Sequence, residues 1–359
     1  MKQNLLNISK HMLFRAVILF ITVVIGIYIV IFVANMGGEI DQMRRDQIRF
    51  EVTQRIYSNP EYQGMEREKV KDIIEDNIER RYELYGLDKP FLQRSFNYLQ
   101  QAISLNLGRS EQITSDSGSR MVQRVLLERL PPTLLLFATA DLLLFFIGIS
   151  AALYLSQRYG SLLDRIVIAL APTSASPGWF YALFLILIFA GVLGVMPWGG
   201  MVVAPPPDNP FIYALSLLRH LTLPAIAIFL GAIFRSIYGW RTYFLIHSKD
   251  DYVEMAKAKG LSSGSIQRRY ILRPSLPYIV TQFLLIMITM WMGQVVLEQV
   301  TNWPGIGSLF IQAITLNDTP IIVGVSVIYA YLLATTVFLL DFIYAIVDPR
   351  VRVGEGGRK

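Results

Sequence analysis

Asp250-Asp251-Tyr252-Val253-Glu254-Met255-Ala256-Lys257-Ala258-Lys259-Gly260-Leu261 lies between two long apolar segments, and its reading decides how the rest of the chain is arranged. The pattern predicts a short helix with the small residues Ala256 and Gly260 four apart on one side, a spacing that lets another surface approach the backbone closely. Glu254 and Lys257, three apart, are placed to pair across the exposed side. Gly260 suits the position just past a helix end, where a left-handed backbone costs glycine least. A second turn can follow at once, with Ser263 or Ser265 capping Ile266-Gln267-Arg268-Arg269-Tyr270. Taken alone, the stretch reads either as a solvated juxtamembrane loop or as a helix that docks in a groove of a partner protein.

The composition places this stretch beside a membrane. Of 359 residues, 53% are hydrophobic and the mean hydropathy is +0.44, too apolar for a soluble globular protein. Several runs reach the roughly 18–20 apolar residues that cross a bilayer. The formal charge of +6 is therefore read by where the basic residues sit, and nucleic-acid binding is not inferred from it. Without cysteine there is no disulfide framework, thiolate chemistry or cysteine metal site. His11, His220 and His247 stand too far apart in sequence for metal-ligand spacing.

The first apolar run, about Met12 to Asn35, follows Lys2, Lys10 and Arg15. No small-residue cleavage site succeeds it, so it reads as an uncleaved anchor with a cytoplasmic N-terminus. Residues 36–130 form a polar external region with 15 Lys+Arg and 16 Asp+Glu. In it Val70, Ile73, Ile74, Ile78 and Tyr82 repeat at helical spacing among charges, which predicts an amphipathic helix and not a span. A second span is expected from about Thr133 to Leu155, with Pro131-Pro132 in its first turn. Residues 166–194 form a third, broken at Ala171-Pro172-Thr173-Ser174-Ala175-Ser176-Pro177-Gly178, as is tolerated where backbone is buried in protein or faces a cavity. After a Pro/Gly-rich segment, Pro197 to Pro210, a fourth span is expected at about Leu221 to Ile246. A fifth follows at Pro277 to Val300, an outer loop at Thr301 to Pro320, and a sixth span at Ile321 to Val347.

The fold class is thus an all-α integral membrane protein with six transmembrane helices, both termini cytoplasmic, and an external, partly helical insertion between spans 1 and 2. Its divisions are 1–35 (tail and first helix), 36–130 (insertion) and 131–359 (five-helix core), with a cytoplasmic loop at 248–275. The short loops obey the charge rule: the inner segments carry 15 Lys+Arg and the two short outer loops only Arg219.

The sequence has no Gly-rich phosphate cradle, metal cluster, serine elbow or paired catalytic carboxylates. Asp141, Arg235, Glu298 and Asp341 lie in or near the spans, where an ionisable group is a functional candidate. Each also has a plain structural reading as a buried pair or an interfacial group, and Asp141 and Arg235 are a possible pair. Gln282, Gln294 and Glu298 are the polar residues of the fifth span that could line a path.

Asp251-Tyr252-Val253 through Ala256-Lys257-Ala258-Lys259-Gly260-Leu261 resembles the glutamate-alanine-alanine…glycine loop of ABC importer permeases of the dipeptide/oligopeptide transport family. Further likenesses follow in the family's order: Gly86-Leu87-Asp88-Lys89-Pro90 with Leu107-Gly108-Arg109-Ser110, then Arg129-Leu130-Pro131-Pro132-Thr133. Glu298 with Trp303-Pro304-Gly305-Ile306-Gly307 and Asp318-Thr319-Pro320 resembles the turn between the last two spans, and Asp348-Pro349-Arg350-Val351-Arg352 the C-terminal signature. The likeness spans nearly the whole chain apart from part of residues 36–85. Leu276-Pro277 stands farther from Gly260 than in the family pattern, Pro274 is an added helix breaker, and the outer region is longer than usual.

The resemblance implies a non-catalytic half-channel in a prokaryotic cell membrane, paired with a second permease and served by two cytoplasmic ATPases that hold ATP and magnesium. An extracytoplasmic binding protein would deliver the cargo, with no cofactor in this chain and no nucleic acid. Asp251, Tyr252, Glu254, Ala256, Ala258 and Gly260 are then the expected ATPase-coupling residues, and Trp303, Pro304, Gly305 and Gly307 an outer turn or gate. Peptides are the expected cargo, with oligosaccharides or another small solute as the alternative. An ion-gradient-driven secondary transporter is the rival of another class, but it would want a relay of intramembrane acids and internal repeats.

Overall fold

The computed structural model describes residues 2–35, 39–62, 65–290 and 294–347. The described elements are helical, and β pairing among the described residues is one antiparallel bridge between Arg109 and Met121. In chain order they are α1 Lys2–Asn35, α2 Glu39–Tyr57, α3 Arg67–Leu84, α4 Phe91–Ile103 and α5 Val122–Ser156. Then come α6 Leu162–Leu170, a 3₁₀ turn at Ala171–Ala175, α7 Gly178–Leu185 continuing as a π-helix at Ile186–Val192, and α8 Pro210–His247. The last are α9 Asp251–Ala258, α10 Ser263–Ile266 with a π-helix at Gln267–Leu272, α11 Arg273–Thr289, α12 Val295–Val300, α13 Ile306–Thr315 and α14 Thr319–Val347.

Five described helices are long and apolar enough to cross a membrane: Met12–Val33, Val122–Ser156, Pro210–His247, Ser263–Met287 and Thr319–Ile343. A sixth arises if Leu162–Ala175 and Gly178–Val192, bent by 99° at their break, count as one. Leu13, Phe14, Ile25, Ile29 and Val33 of α1 are exposed, as suits a surface solvated by hydrocarbon.

The chain divides into two compact units. One comprises Val17–Val125 and Leu316–Tyr331. Its polar part is built on α2 and α3. Ile48, Val52 and Ile56 recur every four residues on α2, as do Val70, Ile74 and Ile78 on α3, and the two stripes bury each other with Leu87. Charges flank this core: Arg81 pairs with Glu51 at 2.9 Å, and Arg45 donates to the Leu87 carbonyl. In the same unit the buried Asp318 accepts from Ser110 Oγ at 2.5 Å and from the amides of Gln112 and Ile113 at 2.9 and 3.1 Å. Its other oxygen accepts from Ile321 N at 3.4 Å, which caps α14.

The other unit comprises Met1–Ala16, Leu126–Thr315 and Leu332–Lys359. One core joins Leu136, Phe137 and Ala140 of α5 to Ala182 of α7, Leu221, Ala227 and Ile228 of α8, Leu297 and Trp303. A second joins Ala152 and Leu155 of α5 and Ile233, Ile237 and Phe244 of α8 to Val253 and Ala256 of α9, with Ile266 and Ile271. Arg241 of α8 and Asp164 of α6 form a buried ion pair, with Arg241 Nη2 2.6 Å from Asp164 Oδ2. Arg15 Nε and Asp341 Oδ2 pair at 3.6 Å.

Four expectations about the elements need correction. Pro131 and Pro132 lie inside α5, not in its first turn, because Val122, Val125 and Leu126 are fully buried and packing extends the helix upstream past the proline penalty. The fourth helix starts at Pro210, not Leu221: Asn209 Oδ1 caps it by accepting from Phe211 N at 2.9 Å, with proline in the first position. The fifth span does not run to Val300, since α11 ends at Thr289 and α12 is a separate short helix. The expected outer loop 301–320 contains a ten-residue apolar helix, α13. The signature Asp348-Pro349-Arg350-Val351-Arg352 lies outside the described residues.

Candidate functional site

Three places in the second unit gather the residues of interest. The first is α9. Asp250 precedes it in an extended conformation, and its side chain turns to His247 Nδ1 at 3.1 Å and does not cap the helix. Hydrogen bonds from His247, and next from Tyr252, hold the Asp250 carboxyl below its ordinary 3.8. Partial burial, and then Asp250, push the Tyr252 hydroxyl up. The helix ends in a Schellman motif: Leu261 N donates to Ala256 O at 3.3 Å, Gly260 N donates to Lys257 O at 2.9 Å, and Gly260 is at φ +73°. A Cβ at Gly260 would meet no atom within 4 Å, so the glycine is required by its backbone and not by crowding.

The faces of α9 differ from expectation. Val253 and Ala256, three apart, are buried in the α5–α8 core, so Ala256 seats the helix on its own chain and does not face outward. Asp251, Tyr252, Glu254, Met255, Ala258 and Gly260 are exposed. Glu254 and Lys257 do not pair; Lys257 Nζ reaches the Ser248 carbonyl at 3.3 Å. The next helix is preceded by Ser262, which makes no side-chain cap, where Ser263 or Ser265 was expected. The π-helix at Gln267–Leu272 then takes the chain into α11, which carries Pro274 in its first turn and Pro277 inside.

The second place is the turn after α12. Trp303 and Glu298 are both fully buried. Trp303 Nε1 donates to Pro132 O at 2.9 Å, which gives this proline-bearing turn of α5 a partner. Glu298 Oε1 accepts from Thr133 Oγ1 at 2.9 Å and Oε2 from Ser308 N at 3.0 Å, while Thr133 Oγ1 itself accepts from Ile306 N at 2.8 Å. The result is a closed circuit from α5 through Glu298 to the start of α13. Gly305 and Gly307 leave room for it: a Cβ on Gly305 would collide with the Glu298 carboxylate and Thr133 Oγ1, and one on Gly307 would lie 2.8 Å from Val295 Cα.

The third is a cavity of about 660 Å³ at the break between α6 and α7. Asp141, Ser176, Trp179, Ile228, Arg235 and Gln294 are among its lining. The break is held by a close crossing, since a Cβ on Gly231 of α8 would lie 3.2 Å from Gly178 Cα, and Gly178 admits none without meeting Gln294 Oε1 at 3.2 Å. Of the three path candidates only Gln294 lines the cavity. Gln282 is half-buried elsewhere on α11, and Glu298 is enclosed in the Trp303 turn. Asp141 and Arg235 share the cavity without forming the ion pair that was considered for them. Sequence reasoning missed Thr133 and the Asp164–Arg241 pair. For the pair, the signal available was a charged residue set within a mainly apolar segment, as at Asp164 after Leu162-Leu163 and at Arg241 after Tyr238-Gly239-Trp240.

Residues 145–353 match the family described as binding-protein-dependent transport system inner membrane component. The oligopeptide transport system permease protein AppB of Bacillus subtilis is 30% identical over 280 residues, 78% of this chain and 86% of that protein. The di/tripeptide transport system permease protein DppB of Pseudomonas aeruginosa is 32% identical over 284 residues, 74% of this chain and 82% of that protein. With its apolar helices and a match over more than half its length, the chain is a multi-pass cell-membrane protein and belongs to the binding-protein-dependent transport system inner membrane component family of permeases.

Proposed function

We propose that this chain is half of the translocation path of an ATP-driven importer of peptides, coupled through residues 250–262 to separate ATPase subunits. The observation that carries the reading is α9: one face is anchored by Val253 and Ala256 in the core of the spans, and the other presents Asp251, Tyr252, Glu254, Met255 and Ala258 uncovered. A helix fixed to the spans on one side and free on the other can transmit a partner's movement to them. Its exposed residues would sit in a groove of an ATPase that holds ATP and magnesium. In this reading six spans place both termini in the cytoplasm, residues 36–130 face outward, 131–359 form the core, and 248–275 the coupling segment. The peptide cargo is supported by the names of the two relatives. Trp303, Pro304, Gly305 and Gly307 form a rigid outer turn locked by Glu298, whose enclosure favours a structural role over a place on the path. The remaining partners are a second permease and an extracytoplasmic binding protein.

Purification of the tagged chain from its native membrane under mild extraction tests this reading. Co-purification of ATPase chains and a second permease is the expected result. A lone or self-paired protein, with uptake that fails on collapse of the proton gradient and survives loss of ATP, would replace it by a secondary transporter.

A further inference from the structure

Among the ionisable side chains within the candidate spans, Asp141 and Arg235 take no part in the ion pairs and circuits described above. Asp141 on α5 is half-exposed and Arg235 on α8 is exposed, and both open onto the cavity at the α6–α7 break. They are not in salt-bridge contact with each other or with another described side chain, whereas Asp164 and Arg241 of the same unit are mutually paired and buried. A charge at membrane depth is costly unless it meets water, an opposite charge or a ligand. The cavity, at about 660 Å³, is of a size that holds small-molecule ligands. Its remaining lining mixes the carboxamide of Gln294 and the hydroxyl of Ser176 with the apolar walls of Trp179 and Ile228. The first turn of α7, without a side-chain cap, opens at the same place.

We propose that this cavity is a transit site for a zwitterionic solute, a short peptide with free termini, whose carboxylate faces Arg235 and the start of α7 and whose ammonium group faces Asp141. The proposal rests on the importer reading given above and adds to it the residues of this chain that would hold the cargo in transit. Two opposite charges in one cavity, without an ion-pair partner among the described residues, are both satisfied by a zwitterion. A simple anion or cation satisfies one and leaves the other uncompensated. A neutral oligosaccharide would take water from both and return no opposite charge, so the site discriminates against it. Gln294 can serve the amide groups between the termini, and the apolar walls tolerate varied side chains.

The test uses the complete complex, with its second permease, ATPases and binding protein, reconstituted in proteoliposomes, and follows ATP-driven uptake of labelled trialanine. Asp141→Asn and Arg235→Gln are each expected to reduce uptake at least about tenfold, the loss of one charge-assisted contact. Asp141→Glu and Arg235→Lys, which keep the charge, are expected to restore most of it, and all four variants should purify with the second permease attached. Uptake within about twofold of wild type in both neutral variants would overturn the proposal. So would loss of the second permease from either neutral variant, which would place the charges at a subunit contact. Absence of ATP-driven trialanine uptake in the wild-type complex would instead overturn the importer reading, before any variant is compared.

Discussion

Replacing Glu298 by alanine removes the acceptor on which three donors converge: Thr133 Oγ1 at 2.9 Å, Ser308 N at 3.0 Å and the Gly307 amide. Glu298 is fully buried, so the two amides have no ready substitute, while Thr133 Oγ1 can turn only to the Arg129 carbonyl, a longer contact at 3.4 Å. An orphaned buried donor costs roughly 1–3 kcal/mol. The two amides together cost about 2–6 kcal/mol, before allowance for the unfavourable burial of the carboxylate itself, which alanine no longer carries. A net loss of about 2–4 kcal/mol is expected, equivalent to an apparent melting temperature lower by roughly 5–10 °C. Glu298→Gln should fall between. Its carbonyl can still take the Ser308 amide, while its NH₂ requires Thr133 to turn its proton toward the Arg129 carbonyl, a longer contact at 3.4 Å. Detergent-solubilised protein melted with fluorescence-detected size exclusion gives the ordering wild type, Gln, Ala. A Glu298→Ala protein that melts within about 2 °C of wild type would refute the circuit. If that protein also lost uptake, the carboxylate would belong on the translocation path.

Other outcomes follow from the same geometry. Gly260→Val should destabilise the end of α9 by about 1–2 kcal/mol, since valine at φ +73° is strained; Gly260→Asn should behave nearly as wild type, with hydrogen exchange of residues 251–261 as the readout. Gly260→Asp keeps an open site but places a negative charge at a helix C-terminus; it should leave the chain inserted and lower uptake per ATP hydrolysed. Arg241→Ala leaves Asp164 buried without its counter-charge and should cost roughly 3–5 kcal/mol, read as a lower melting temperature that the added Asp164→Asn change partly restores. Asp250 is held below its ordinary 3.8, so its bond to His247 contributes fully above that pH and is lost as pH falls through the lowered value. Exchange at the start of α9 should therefore rise only in that acid window, and Asp250→Asn should abolish the pH step.

The elements that could be read from the sequence are those whose cause is local. Long apolar runs made spans recognisable, the prolines and glycine of residues 171–178 marked the break, and Gly260 marked the end of α9 because its backbone conformation is a property of one residue. The failures have a tertiary cause. Thr133 and Glu298 are 165 positions apart, and Asp164 and Arg241 are 77 apart, so neither pairing leaves a mark in local spacing. Proline chemistry alone would start α5 at Pro131, and only the burial of Val122, Val125 and Leu126 carries the helix beyond it. Ala256 was assigned to the outward face because small residues four apart suggest a docking seam. The better signal was Val253, three before it, which gives an eight-residue helix one apolar stripe to bury inward.

That inward stripe explains how a surface helix could act on a distant cavity. α8 carries Phe244 and Ile237, which pack against Val253 and Ala256, and also Gly231 and Arg235, which lie at the α6–α7 break. The buried Asp164–Arg241 pair fastens the same helix to α6 on the other side of that break. A push on α9 therefore reaches α8 through packed, buried contacts, and α8 cannot shift without changing the crossing at Gly178 and Gly231, where the backbones approach closely. Close crossings of this kind have few intermediate arrangements, because small displacements either collide or open a void. In the proposed importer, α8 is therefore the element through which closure of an ATPase pair would switch the cavity between two packings.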